Sequence, residues 1–164
     1  MRTELKSKLM NVFLVFFVFM SACSNVSGQP QAEAPRAPDF TLSTADGQEF
    51  NLNGTLSSKS AVLVFFATWC PACMQEVPYV EDYYKKNGGS VAVVGINVQE
   101  SKSKVSSFIE KKGVSYPILL DRSGDVARLY GVRGIPTVVA INKEGKVLYY
   151  GHDIVEMTER AGKL

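Results

Sequence analysis

Apolar and polar positions divide this chain of 164 residues into three stretches. Residues 12–20 (VFLVFFVFM) form an unbroken apolar run, preceded by the basic segment 2–8 (RTELKSK) and followed by the small residues Ser21-Ala22 and then Cys23. Residues 24–37 (SNVSGQPQAEAPRA) carry almost no apolar signal. From residue 38 onward, short runs of strand length alternate with stretches whose apolar residues recur at helical spacing.

In that third stretch, Phe40 and Leu42 alternate with polar residues, Asp46-Gly47 makes a turn, and residues 49–52 return, which predicts an N-terminal β-hairpin. The run 61–67 (AVLVFFA) is short, β-branched and aromatic, as suits a central strand buried on both faces. Residues 74–86 read as a helix with Val77, Val80 and Tyr84 on one side. Pro71 is tolerated at its first turn, and Pro78 is expected to kink it. Residues 91–98 (VAVVGINV) predict a second buried strand, parallel to the first because a helix separates them. A helix over 102–111, built on Val105, Phe108 and Ile109, ends at Gly113. A strand over 116–120, a short helix over 125–130, a hairpin of 136–141 and 146–150 around Asn142-Lys143-Glu144-Gly145, and a final helix over 153–161 complete the pattern. The sum is an α/β protein with a mixed central sheet flanked by helices on both faces.

Composition adds that 46% hydrophobic and 21% charged residues suit one ordinary globular domain. The net charge of +2 is concentrated at the start, where Arg2, Lys6 and Lys8 face only Glu4. The remainder is formally neutral, with neither the basic stripe of a nucleic-acid binder nor an acidic tail. No nucleic-acid partner is expected.

A basic start, a short apolar run and small residues describe a secretory signal over 1–22. The run is shorter than the ~20 residues of a spanning helix, although Leu9, Met10 and Ala22 extend it enough to leave an uncleaved anchor as an alternative. Met20-Ser21-Ala22-Cys23 resembles the lipobox of bacterial lipoproteins, which implies lipidation of Cys23 and attachment to a bilayer without spanning it. The other reading of Cys23 is an incidental residue after a plain signal. Residues 23–37 are expected to be a flexible tether, and 38–164 the folded domain.

The remaining two cysteines stand at a strand–helix junction, Trp69-Cys70-Pro71-Ala72-Cys73. At a helix N-terminus, free N–H groups and the dipole favour a thiolate at Cys70, the species that attacks a disulfide. Cys73, one turn on, can resolve the mixed disulfide. A static Cys70–Cys73 staple closes too short a ring to contribute much. A zinc half-site lacks further ligands, since no second cysteine pair exists and His152 is the single histidine. A peroxidatic cysteine is a third alternative, but its Pro-x-x-x-Thr-x-x-Cys pattern fits neither residue. Counting back from Cys70 meets Ala67 and Leu63; from Cys73, Cys70 and Phe66. No metal and no cofactor are expected.

Ala37-Pro38-Asp39-Phe40, FFATWCPAC, Glu76-x-Pro78 and YGVRGIPT (130–137) together resemble the TlpA/ResA-like thiol–disulfide oxidoreductases over residues 37–151. The resemblance implies a thioredoxin fold with a βα insertion matching 98–116, and a place on the extracytoplasmic, periplasmic face of a bacterial cell envelope. It further implies that Pro136 is a cis-proline beside the redox pair and that Ile135 offers its backbone to an extended substrate. Trp69 and Pro71 would shape the surface the substrate meets. Glu76 would stand near the thiols, as proton acceptor or as a charge that raises a thiol pKa. Protein disulfides, among them those of apocytochrome c, would be the substrates, and a membrane electron donor the partner.

Two departures qualify that picture. Val64 occupies the position that is acidic in archetypal thioredoxins, so proton transfer has to use Glu76, water or another group. Pro71-Ala72 replaces the acidic residue and proline usual between ResA-like cysteines and offers a thiolate no side-chain donor, which favours a reductase over a strong oxidant. A peroxidase and a non-catalytic binding module of the same fold remain the alternative functions.

Overall fold

The computed structural model describes residues 34–162 and residue 164. The expected signal (1–22), Cys23 and most of the tether lie outside the described residues.

Ser60–Phe66 (β3) is buried along its whole length, with alternate side chains feeding two separate cores. Val91–Val98 (β4) pairs parallel to it, and Thr137–Ile141 (β6) antiparallel on its other side. Ile118–Asp121 (β5) adds to β4 in parallel, and Val147–Gly151 (β7) closes the sheet antiparallel to β6. The order is β5-β4-β3-β6-β7. A separate hairpin of Thr41–Ser43 (β1) and Glu49–Asn51 (β2) turns at Gly47, whose φ of 97° suits a residue without Cβ.

Val62, Val64 and Phe66 join one core with Val80 of helix α2 (Pro71–Asn87), Val105 and Phe108 of α3 (Lys102–Lys112), and Ile154 and Met157 of α5 (Ile154–Arg160). Ala61, Leu63 and Phe65 join the other with Phe40, Leu52 and Leu56 of α1 (Leu52–Leu56), and Val126 and Ala127 of α4 (Asp125–Leu129). Helices therefore cover both faces, as the alternating pattern predicts. Gly95 in β4 makes room for side chains of the flanking strands: a Cβ there would lie 2.7 Å from Ile118 Cδ1 of β5 and 3.1 Å from Phe66 Cε1 of β3.

The structure departs from the sequence reading in a few places. Leu52 begins a short helix instead of ending a strand, because the Asn51 side chain accepts the Gly54 N–H (2.7 Å) and Asp39 accepts that of Asn53 (2.9 Å). Leu52 and Leu56, four apart, then share one buried face. Strand β5 starts two residues late, since Pro117 has no N–H to give a ladder; its carbonyl accepts from Gly95 (2.9 Å). Helix α2 begins at Pro71, earlier than its apolar period indicates, and runs on through Pro78. Residues 35–37, tether by composition, are hydrogen-bonded to the β6–β7 hairpin through Val147 N–H to Pro35 O (2.9 Å) and Ala37 N–H to Gly145 O (2.8 Å).

Candidate active site

Strand β3 ends at Phe66, and the chain turns through Ala67–Trp69 before α2 begins. Cys70 is the N-cap of that helix: its backbone is extended (φ −85°, ψ 114°), and its Sγ accepts the Cys73 N–H at 3.1 Å. This is the bond a capping serine would make, here made by sulfur. Cys70 and Cys73 form a disulfide with Cα atoms 5.3 Å apart. Both residues are buried, 4% and 2% exposed, whereas Trp69 beside them is 66% exposed. Pro71 is exposed on the first turn of α2.

The second wall comes from the chain entering β6. The Ile135–Pro136 bond is cis, and the Ile135 carbonyl oxygen lies 3.6 Å from Cys70 Sγ. Thr137 Oγ1 donates to Gly134 O (2.7 Å) and tightens the turn. From the far side, His152 Nδ1–H donates to Pro136 O (2.7 Å). A groove of about 260 Å³ opens between Trp69 and Ile135, the neighbours of Cys70 and Pro136, and is lined also by Val98, Gln99, Val132 and Arg133.

Glu76 lies one helical turn beyond Cys73, half-buried, and its Oε2 accepts the Ile154 N–H at 3.0 Å. The carboxylate thus serves the first turn of α5. Burial pushes its pKa up, the Ile154 N–H pulls it down, and the Asp153 carboxylate pushes it up again; the balance is a raised value.

The structure assembles the expected residues Trp69, Cys70, Pro71, Cys73, Ile135 and Pro136 around one sulfur pair. It also shows groups that sequence reading passes over. Glu100 accepts from both the main-chain N–H and the hydroxyl of Thr68, two residues before Cys70 (2.6 and 2.8 Å). His152, weighed above only as a metal ligand, buttresses the proline instead. Neither contact leaves a local signal, since the partners are distant in sequence.

Among the described residues no helix is long and apolar enough to cross a membrane. The Redoxin family profile matches residues 32–161. The thiol–disulfide oxidoreductase ResA of Geobacillus thermodenitrificans is 40% identical over 114 residues, covering 68% of this chain and 64% of the relative. This chain therefore spans somewhat under two thirds of that relative's length. Among solved structures, a thiol:disulfide interchange protein of the thioredoxin family from Chlorobium tepidum TLS superposes with a TM-score of 0.68 at 28% identity, covering 80% of this chain and 99% of the other. A secreted disulfide oxidoreductase of Mycobacterium tuberculosis does so with a TM-score of 0.65 at 27% identity, covering 74% and 93%.

Proposed function

This chain belongs to the Redoxin family, as a thioredoxin-fold protein of the TlpA/ResA-like kind, and we propose that it reduces protein disulfides with Cys70 as nucleophile and Cys73 as resolving thiol. The observation that carries this reading is the placing of Cys70 Sγ between a helix N-terminus and the carbonyl that precedes a cis-proline.

The reaction starts from the dithiol form. The Cys70 thiolate, favoured by the Cys73 N–H and the α2 dipole, attacks one sulfur of a substrate disulfide. A mixed disulfide forms, and the other substrate sulfur leaves as a thiolate that takes up a proton. Cys73, deprotonated, then attacks Cys70 Sγ, and the second substrate sulfur leaves and is protonated. Two electrons pass from the protein to the substrate, and the Cys70–Cys73 disulfide seen in the structure remains. An external dithiol donor has to restore the starting state. Glu76, one turn past Cys73 with a raised pKa, is proposed as the group that accepts the Cys73 proton. Trp69 and Pro71 form the surface that meets the substrate, and the Ile135 backbone aligns it as an added strand.

The reductase direction is supported by Pro71-Ala72, which gives the thiolate no side-chain donor of the sort that stabilises the reduced form of strong oxidants. The proposed setting is the extracytoplasmic side of a bacterial membrane, reached by the 1–22 signal and held through lipidated Cys23 and a tether. Disulfides form by default in that compartment, so a reductant has substrates there. Apocytochrome c and a membrane electron donor complete the proposal.

Equilibration of the purified protein in thiol–disulfide buffers tests it. A Cys70–Cys73 potential at or below about −270 mV, the thioredoxin range, supports a reductase. A value near about −120 mV reverses the direction. Absence of a reversible pair replaces the enzyme with a binding module.

A further inference from the structure

We infer that Glu100 is a positioning residue for this chemistry: its buried carboxylate holds the Thr68–Trp69 backbone, and through it the Cys70 sulfur, in place. The inference rests on the thiol–disulfide exchange proposed above and extends it to a residue outside the redox motif.

The Glu100 side chain is 4% exposed and meets four donors. Oε2 accepts the Thr68 N–H (2.6 Å) and Asn97 Nδ2 (2.8 Å); Oε1 accepts the Thr68 hydroxyl (2.8 Å) and pairs with Lys104 Nζ (2.6 Å). A carboxylate offers about four lone-pair sites, and here all are taken. It therefore has no room to receive a proton from a thiol, and its use is mechanical. Two of its bonds go to a single residue, one to the main chain and one to the side chain. Such a fork fixes orientation as well as distance. Thr68 lies midway through the loop from Phe66 to Cys70, which is also tied by Cys70 N–H to Ala67 O (3.2 Å).

The surroundings concentrate unfavourable features at this point. Gln99, immediately before Glu100, has φ 58°, the one positive value among described non-glycine residues. That turn returns the chain beneath Thr68 and is held by Gln99 N–H to Asp121 O (2.9 Å). Asn97, which turns its amide nitrogen toward Glu100, leaves Oδ1 buried without a partner. Left-handed backbone and an unsatisfied buried acceptor both cost stability, and such costs gather where a site must be held to one geometry. The segment from β4 into α3, to which the family resemblance assigns no role, thus contributes Asn97, Glu100 and Lys104 to the loop that carries the nucleophile.

The test uses Trp69, the single tryptophan of the chain and the residue after Thr68. Its fluorescence anisotropy, and its change in emission when the adjacent disulfide is reduced, report on the loop without a label. In Glu100→Gln an amide N–H₂ faces donors that need an acceptor. Thr68→Val keeps the main-chain bond and loses the hydroxyl. We expect Glu100→Gln to lower Trp69 anisotropy, to alter its emission change on reduction, and to lower kcat/KM for a protein disulfide on the order of tenfold to a hundredfold. Thr68→Val should move both readings the same way by less. A folded Glu100→Gln protein with wild-type anisotropy and turnover overturns the inference, as does lost turnover with Trp69 unaltered. If Glu100→Gln does not fold, Thr68→Val decides by the same two readings. Should the wild type itself fail to reduce protein disulfides, the functional proposal falls while the Trp69 readings still judge the brace.

Discussion

The Sγ of Cys70 lies 3.6 Å from the carbonyl oxygen of Ile135, a residue 65 positions away along the chain. Two loops, one leaving β3 and one entering β6, meet at this point because their strands are neighbours in register, with Phe65 opposite Thr137. The proposed nucleophile and the backbone proposed to align its substrate therefore share one support, the paired strands β3 and β6.

Cys70 faces that wall, while Cys73 lies one turn inside the helix at 2% exposure. Cys73→Ser should accumulate mixed disulfides with protein substrates, and Cys70→Ser should not. Non-reducing electrophoresis after acid quenching reads the difference. Equal trapping by both variants would remove the assignment of roles.

Trp69 is largely in solvent and supports little of the core. Trp69→Ala is expected to change unfolding free energy by no more than about 0.5 kcal/mol, as for other surface positions, yet to lower kcat/KM for a folded protein substrate. Denaturant titration and steady-state kinetics on the same variant check both halves. A fall in stability above that value would make Trp69 a packing residue.

Glu76 carries a pKa raised chiefly by burial, so the fold favours its protonated form. Its contribution to stability is then present below the ordinary value of 4.5 and lost as pH rises through the raised one. Glu76→Gln, which still offers Ile154 an acceptor oxygen, should be at least as stable as wild type at pH 7, with the advantage vanishing in acid. Urea midpoints at pH 4 and pH 7 suffice to see it. A variant weaker at pH 7 would mean that the charge itself is used.

Glu100 behaves in the opposite sense. Burial acts to raise its pKa, but Lys104, the Thr68 main chain, Asn97 and the Thr68 hydroxyl together outweigh it and hold the value at about 2. The stability that follows is present above 4.5 and lost as pH falls toward about 2. The thermal midpoint of the wild type should drop more steeply between pH 5 and pH 2 than that of Glu100→Gln. Parallel curves would contradict the burial and pairing described here.

How much of this was legible in the sequence depended on the range of the interaction. Strand β3 and its redox turn are specified by adjacent residues: a buried apolar run, a cysteine at the capping position, a proline at the first helical position. The helix at Leu52–Leu56 escapes a reading by pattern because its signal is a single asparagine cap at the end of a strand-like run. The bonds from Glu76 to Ile154, from His152 to Pro136 and from Glu100 to Thr68 join residues 78, 16 and 32 apart. Each depends on how the sheet closes, which no local pattern states.

Pro35 and Ala37 dock beside Gly145 and Val147, the end of the hairpin remote from Pro136. Strand β6 covers the distance between them, five residues or roughly 17 Å at strand rise. Pro35 and Ala37 therefore lie at one end of β6 and the sulfurs near the other. A load applied at Pro35 would reach the Gly145 turn first and the redox loops last. The redox loops are thus mechanically insulated from the strand pairing at Pro35 and Ala37 by the full length of β6.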